Sequence, residues 1–226
     1  MPRWNTAAVH TQLGLIPTTG GHVWEAAGTL CAFMEAAEVI KKETRAVLEL
    51  GAGTGWLGCT LAHNNPFVER IVLTEQGAGG ALEHLENNVG LNKDLDVGNV
   101  ECAVLEFGDT ANPLVAQRWD AVIGSDLVYQ PALAENLPVM WNALLASSPN
   151  AAVVYCHTFR RYDDLDHLLL KTCTSLNLRV FELETKADFE ALQTRRFDSL
   201  NPAAADHDVP ELFPEQKRVV LGICKA

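Results

Sequence analysis

Between Val47 and Gly58 the chain reads VLELGAGTGWLG, an apolar run that passes straight into a turn with glycines at 51, 53, 55 and 58. An apolar helical pattern follows. A strand–turn–helix of this kind brings bare backbone close to a ligand, because glycine has no side chain to block the approach. The feature predicts a nucleotide-like cofactor at the carboxyl end of the first strand, in a fold built around that strand.

The rest of the chain is consistent with such a fold. Nearly unbroken apolar runs that end in an acid, Ile71–Glu75 and Trp119–Asp126, suit strands buried on both faces of a parallel sheet. Further strands are expected over 45–51, 99–105, 151–157, 178–184 and 218–224. Helical spacing predicts helices over 22–42, 56–64, 78–90, 132–146 and 163–176, with Asn65-Pro66 stopping the second. Alternating strands and helices indicate a doubly wound, Rossmann-like α/β fold with a seven-stranded sheet. Its 226 residues are read as one domain: an N-terminal segment and helix to residue 44, then the seven-strand core over 45–226. The polar stretch 185–215, broken by Pro202, Pro210 and Pro214, reads as an insertion that covers or faces the substrate.

Charge and cysteine usage narrow the partners. With 17 basic and 29 acidic residues the net charge is −12, so nucleic acid is repelled on average and small or basic partners fit better. The six cysteines are scattered without a CxxC pair, as expected of free thiols in a reducing compartment, and no metal is expected. The start of the chain does not resemble a secretory signal, and no apolar run approaches the ~20 residues that span a bilayer. A cytoplasmic monomer, with a nuclear pool allowed, is the expectation.

Two cofactors compete for the turn. Gly53–Gly58 matches GxGxxG, the dinucleotide fingerprint, and Glu75 ends the second strand, where a carboxylate can accept hydrogen bonds from ribose hydroxyls. That geometry serves NAD and S-adenosylmethionine equally. The neighbourhood separates them. Four stretches occur in order: Val23-Trp24-Glu25-Ala26-Ala27, Glu49–Gly55, Leu105-Glu106-Phe107-Gly108-Asp109 and Ser125-Asp126-Leu127-Val128-Tyr129. Together they resemble methyltransferase family 16, small class I enzymes that mostly methylate lysine side chains of proteins such as chaperones and translation factors. The resemblance covers roughly residues 20–184.

The resemblance implies S-adenosylmethionine as methyl donor and an antiparallel seventh strand beside the sixth. It places Trp24 beside the cofactor, Gly51, Ala52 and Gly53 against its methionine part, and Glu75 on its ribose. Phe107 falls where the family usually has a tryptophan against the adenine, Asp109 near that adenine, and Ser125 in the cofactor pocket. Asp126 and Tyr129 form the family's Asp-x-x-Tyr signature and are the expected catalytic pair, orienting the incoming amine; the competing reading is that Asp126 fixes the loop or the cofactor's amino group and Tyr129 only packs. Methyl transfer to histidine, a protein N-terminus or a small amine remains open, as does a docking protein with weak turnover. Arg160 and Arg161 are expected in surface ion pairs, His157 as a bonded structural histidine, and Phe181, Phe189 and Phe197 in packing.

Overall fold

A computed structural model describes residues 3–14, 19–95, 97–160, 164–205 and 216–226. In chain order the elements are α1 (Glu25–Ala36), β1 (Ala46–Leu50), α2 (Trp56–Asn64), β2 (Arg70–Glu75), α3 (Ala81–Leu91), β3 (Val100–Val104), β4 (Ala121–Ser125), α4 (Pro131–Ser147), β5 (Val153–Arg160), α5 (Asp164–Ser175), β6 (Leu178–Glu182), α6 (Lys186–Gln193), β7 (Asn201–Pro202) and β8 (Gln216–Lys225). They build one sheet in the order β3-β2-β1-β4-β5-β8-β6-β7. The first five strands of that order are mutually parallel. The C-terminal strand β8 inserts between β5 and β6, antiparallel to both. This is the doubly wound architecture expected from the sequence, with the seventh long strand beside the sixth. The two-residue β7, paired antiparallel to β6, adds an eighth member at the edge.

The apolar runs are buried on both faces, for the reason their lack of alternation implied. Along β1, Val47 packs towards α1, α2 and α3, whereas Leu48 and Leu50 pack towards α4 and α5. Neighbouring strands repeat the division: Ile71, Leu73 and Ile123 join the first face, Val72 and Val122 the second. Each layer therefore buries a separate apolar cluster, at roughly 25 cal/mol per Å² of apolar surface removed from water. Among the buried polar residues of these strands, Glu49 is an acid. It points to the α2 side of β1 from a position only 2 % exposed.

Two expected boundaries change. The first helix is shorter than 22–42 because Glu38 takes a left-handed backbone (φ 51°), which turns the chain after Ala36. The segment read as an insertion over 185–215 begins instead with a packed helix. Thr185 and Asp188 form a reciprocal capping box at the start of α6. Phe189, Ala191 and Leu192 then pack into the core, where Leu192 lies over the bare face of Gly222. Phe181 is likewise buried and stacks on Phe197, as packing aromatics should. Residues 206–215 of that segment lie outside the described residues.

The strand order positions the site. The chain leaves β1 towards β2 and β3, then crosses back to lay β4 on the other side of β1. Connections on either side of that reversal diverge, and this opens a crevice beyond the carboxyl ends of β1 and β4.

Candidate cofactor and methyl-acceptor site

A cavity of ≈ 220 Å³ occupies this crevice. Its lining comes from four connections that leave the sheet at one edge, together with the N-terminal segment and α4. Gly51 and Gly53 follow β1, Glu75 ends β2 and Gln76 follows it, Leu105, Glu106 and Phe107 follow β3, and Ser125 ends β4 with Asp126, Leu127 and Tyr129 after it; Trp24 and Gly20 close it from the N-terminal side. A smaller adjoining cavity of ≈ 30 Å³ shares Trp24, Gly51, Gly53 and Ser125 and is also lined by Ala52 and Glu49. Of the ten residues singled out from the sequence, eight thus line the larger cavity and Ala52 lines the smaller one. Asp109 lies apart from both; its Oδ1 accepts the Ala111 N–H in a local turn after β3.

The glycine turn is held from below. Glu75 Oε1 accepts the Gly53 N–H at 2.8 Å and Oε2 the Gln76 N–H at 3.1 Å. Burial pushes the Glu75 carboxyl upward, against the pull of these two N–H donors. Gly51 has φ +57°, and a Cβ there would collide with the Leu127 side chain. A side chain on this residue would close the approach to the ligand space, so the turn requires glycine. Trp24 is 45 % exposed at the mouth, with its indole N–H donating to the Thr19 carbonyl at 3.1 Å.

Glu49 carries the strongest chemical signal, and residue-by-residue sequence reading passed over it although it stands in the glycine motif. Burial pushes its carboxyl up to about 8; the Gly58 N–H pulls the other way and the charge of Glu75 adds to the rise. Its Oε2 is buried without a hydrogen-bond partner. A buried, unpartnered carboxyl oxygen on a residue lining the small cavity that adjoins the larger one is a costly arrangement in isolation and suits a cationic ligand group. Together with the bare glycine approach, it fits a cofactor that carries an ammonium group as well as a ribose.

The loop after β4 is tied down with more care than its exposed sequence implies. Asp126 has a left-handed backbone (φ 52°), and its N–H donates to the Cys156 carbonyl on β5 at 2.9 Å. Arg160 Nη2 reaches both Asp126 carboxylate oxygens at 3.2 Å. Arg160 thus forms the ion pair expected from the sequence, but partly buried and against a site carboxylate instead of at the open surface; Arg161 lies outside the described residues. The Leu127 N–H donates to Tyr155 Oη at 2.9 Å. Tyr155 Oη lies 3.4 Å from His157 Nδ1, and His157 Nε2 lies 2.7 Å from Asp166 Oδ1 on α5. With Nε2 protonated, the chain of donors runs from Leu127 through Tyr155 and His157 to the Asp166 carboxylate. All three side chains are buried, and burial raises the Tyr155 phenol well above its ordinary value. His157 is the bonded structural histidine expected from the sequence.

The model of a family described as lysine methyltransferase matches residues 10–172. The chain belongs to that family. Its relatives include protein N-lysine methyltransferase METTL21A of Danio rerio, 28 % identical over 74 % of this chain and 72 % of that protein. METTL21A of Xenopus tropicalis is 30 % identical over 66 % of this chain and 64 % of its own length. Among solved structures, the [4+2]-cyclase SpnF superposes with a TM-score of 0.58 at 13 % identity, covering 97 % of this chain and 90 % of its own. The precorrin-6y C5,15-methyltransferase of Geobacter metallireducens GS-15 gives 0.55 at 12 % identity, over 96 % and 100 %. At these identities the likeness is one of fold alone, and a cyclase among the matches illustrates why reaction must be argued from the site.

Proposed function

We propose that this protein is an S-adenosylmethionine-dependent methyltransferase that modifies the ε-amine of a lysine in a protein substrate. The observation that carries the reading is the convergence of Trp24, Gly51, Gly53, Glu75, Phe107, Ser125, Asp126 and Tyr129 on one cavity, in a chain of the lysine methyltransferase family. The relatives' names, protein N-lysine methyltransferase, favour a protein acceptor.

In this reading Glu75 takes the ribose hydroxyls with the acceptor capacity its two backbone contacts leave. Phe107 offers its ring face to the adenine, and Gly51, Ala52 and Gly53 admit the methionine part. Glu49 and Ser125 receive the amino-acid end, where the unpartnered Glu49 oxygen meets an ammonium. S-adenosylmethionine bound there supplies a methyl group on a sulfonium, already activated for transfer. The protein's own task is to hold a neutral amine in line and keep water away, which is catalysis mainly by positioning. A free lysine has a pKa of about 10.4, so its proton must leave before transfer, and the apolar walls formed by Leu105, Leu127 and Leu133 disfavour the charged form. Asp126 and Tyr129, at the mouth of the cavity, orient the amine. S-adenosylmethionine held there would supply the methyl group and leave as the neutral thioether, and the lysine that arrives as a neutral amine would leave as a secondary ammonium.

The test is incubation with labelled S-adenosylmethionine and cell extract, followed by mass spectrometry of the modified residue. Methyl-lysine is expected; label confined to histidine or to a protein N-terminus would overturn the acceptor. Tyr129→Phe and Asp126→Asn should lower kcat with S-adenosylhomocysteine affinity preserved, and full turnover in both would remove the catalytic assignment.

A further inference from the structure

The cavity is acidic to a degree that opposes the reaction just proposed. Among the described residues, Glu75, Glu106 and Asp126 line it and no lysine or arginine does. Two of these carboxylates are held by backbone donors: Glu75 by Gly53 and Gln76, and Glu106 Oε1 by the Gly77 N–H at 2.9 Å. Asp126 is held by a full cation instead. Its carboxylate is only 9 % exposed and meets the Arg160 guanidinium, itself 32 % exposed. The Arg160 side chain is aimed by its own strand, Nη1 donating to the Thr158 carbonyl at 3.3 Å. The pair joins the ends of adjacent parallel strands, and its geometry is set by the Ser125–Cys156 register.

An uncompensated carboxylate beside a lysine amine stabilises the ammonium and raises the pKa of the group that must lose its proton, commonly by about 1–3 units when the charges lie within 4–6 Å. We infer that Arg160 is a positioning and charge-balancing residue for methyl transfer: by spanning both Asp126 oxygens it fixes the left-handed turn at the mouth of the cavity and cancels the charge that would otherwise keep the acceptor amine protonated. The inference rests on the lysine reading above and deepens it. Asp126 then presents a hydrogen-bond acceptor to the amine without presenting a net negative site. The same pairing explains why an acid can stand in a pocket whose substrate has to arrive neutral.

Other titratable and charged groups face Asp126 and bound the effect. Tyr155 and Cys156 on β5 both feel its charge. Tyr129 stands on the same loop, and Glu75 and Glu106 lie across the cavity. Arg218 on β8, opposite Thr158, is committed to Glu25 on α1 at 2.5 Å. None of these replaces Arg160 as the direct partner of the Asp126 carboxylate.

The experiment uses the full-length protein without cofactor and butylammonium as the probe of the lysine end group, followed by NMR titration at pH 7. Arg160→Gln should bind butylammonium roughly threefold to tenfold more tightly than the unaltered protein, with 1-butanol binding unchanged. Arg160→Lys should return the affinity to within about twofold, because the charge is kept while the fork geometry is lost. Asp126→Asn in the Arg160→Gln background should abolish the gain. In parallel, the acid limb of methyl incorporation into lysine in extract should move up by about 0.5–1 pH unit in Arg160→Gln and recover in Arg160→Lys. Unchanged butylammonium affinity and an unmoved acid limb, in a variant whose melting temperature and S-adenosylhomocysteine affinity are intact, overturn the charge-balancing role. Label on histidine with none on lysine overturns the lysine reading itself, and this inference with it.

Discussion

Replacing Glu49 with glutamine removes a titration that the fold has displaced from 4.5 to about 8. The sign follows from which state holds the proton. Between those two pH values the folded protein keeps Glu49 protonated while the unfolded chain has released it, so the native state binds more protons. Stability from this group is therefore complete below about 4.5 and is lost as pH rises through about 8. At 1.36 kcal/mol per pH unit, the displacement corresponds to at most about 5 kcal/mol across the window, an upper bound because solvent and structural relaxation soften it. For a chain of this size each kcal/mol moves the melting temperature by about 2–4 °C, so a fall of several degrees between pH 5 and pH 8 is expected. Glu49→Gln, which mimics the protonated acid, should lose that slope while keeping the pH 5 stability within about 1 kcal/mol.

The same group links binding to protons. If a ligand ammonium pairs with the unpartnered Oε2, Glu49 must ionise, and S-adenosylhomocysteine binding at pH 7 should release close to one proton (about 0.9). Calorimetry in buffers of different ionisation enthalpy measures that release directly. The Gln variant should release none and bind more weakly. Parallel pH-stability curves for the two proteins would refute the burial argument. Equal proton release from both would refute the ammonium contact.

Three other outcomes are expected. Glu75→Ala removes the acceptors of the Gly53 and Gln76 N–H groups and should weaken S-adenosylhomocysteine at least tenfold by calorimetry, since hydrogen bonds to a charged group are worth about 1.5–3 kcal/mol; unchanged affinity would count against the ribose assignment. Gly58→Ala would drive a Cβ into the Leu73 side chain and to 2.6 Å from Glu49 Oε2, costing about 1–3 kcal/mol in urea unfolding; a loss below about 0.3 kcal/mol would contradict the packing read here. Tyr155→Phe strands the Leu127 N–H and should cost about 1–3 kcal/mol and lower kcat more than it raises KM, because the loop carrying Asp126 loses its anchor; an unaltered kcat would make the relay to Asp166 purely structural.

How far the sequence carried depends on the range over which each feature is determined. The central strands β1, β2, β4 and β5 were legible because burial on both faces writes an unbroken apolar run, and α2 runs over 56–64 as expected because the turn opens it and Asn65-Pro66 closes it. Most of the cavity-lining residues were legible through four motifs, each short and local, and Glu75 through its place at the end of an apolar run. The α6 helix was not, although its signal was present: Thr185-x-x-Asp188 is a capping box, hidden by the polar composition around it. Arg160 was illegible for a different reason. It meets Asp126 across 34 positions, and no local pattern encodes which arginine the register of β4 and β5 will place over the loop. Glu49 was visible as a letter in the glycine motif, but its chemistry comes from burial, which only the packing of α2 on β1 reveals.

The four acids of the site are distinguished by what holds them. Glu75 and Glu106 are held by peptide N–H groups, which temper a charge without cancelling it and leave acceptors for neutral hydroxyl or amino donors. Glu49 is buried with one oxygen unpartnered, and therefore stays neutral until a cation arrives. Asp126 has its cation built in. A single site handling a permanently charged donor and an acceptor that must be uncharged needs both kinds of arrangement, separated in space. Here the neutral acid that can be ionised by a ligand lies deep, under the glycine turn, and the balanced pair lies at the mouth. Exchanging the two would protonate the amine and repel the donor's ammonium. The distribution of counter-charges, more than the identity of any one acid, is what makes this crevice suited to moving a methyl group onto nitrogen.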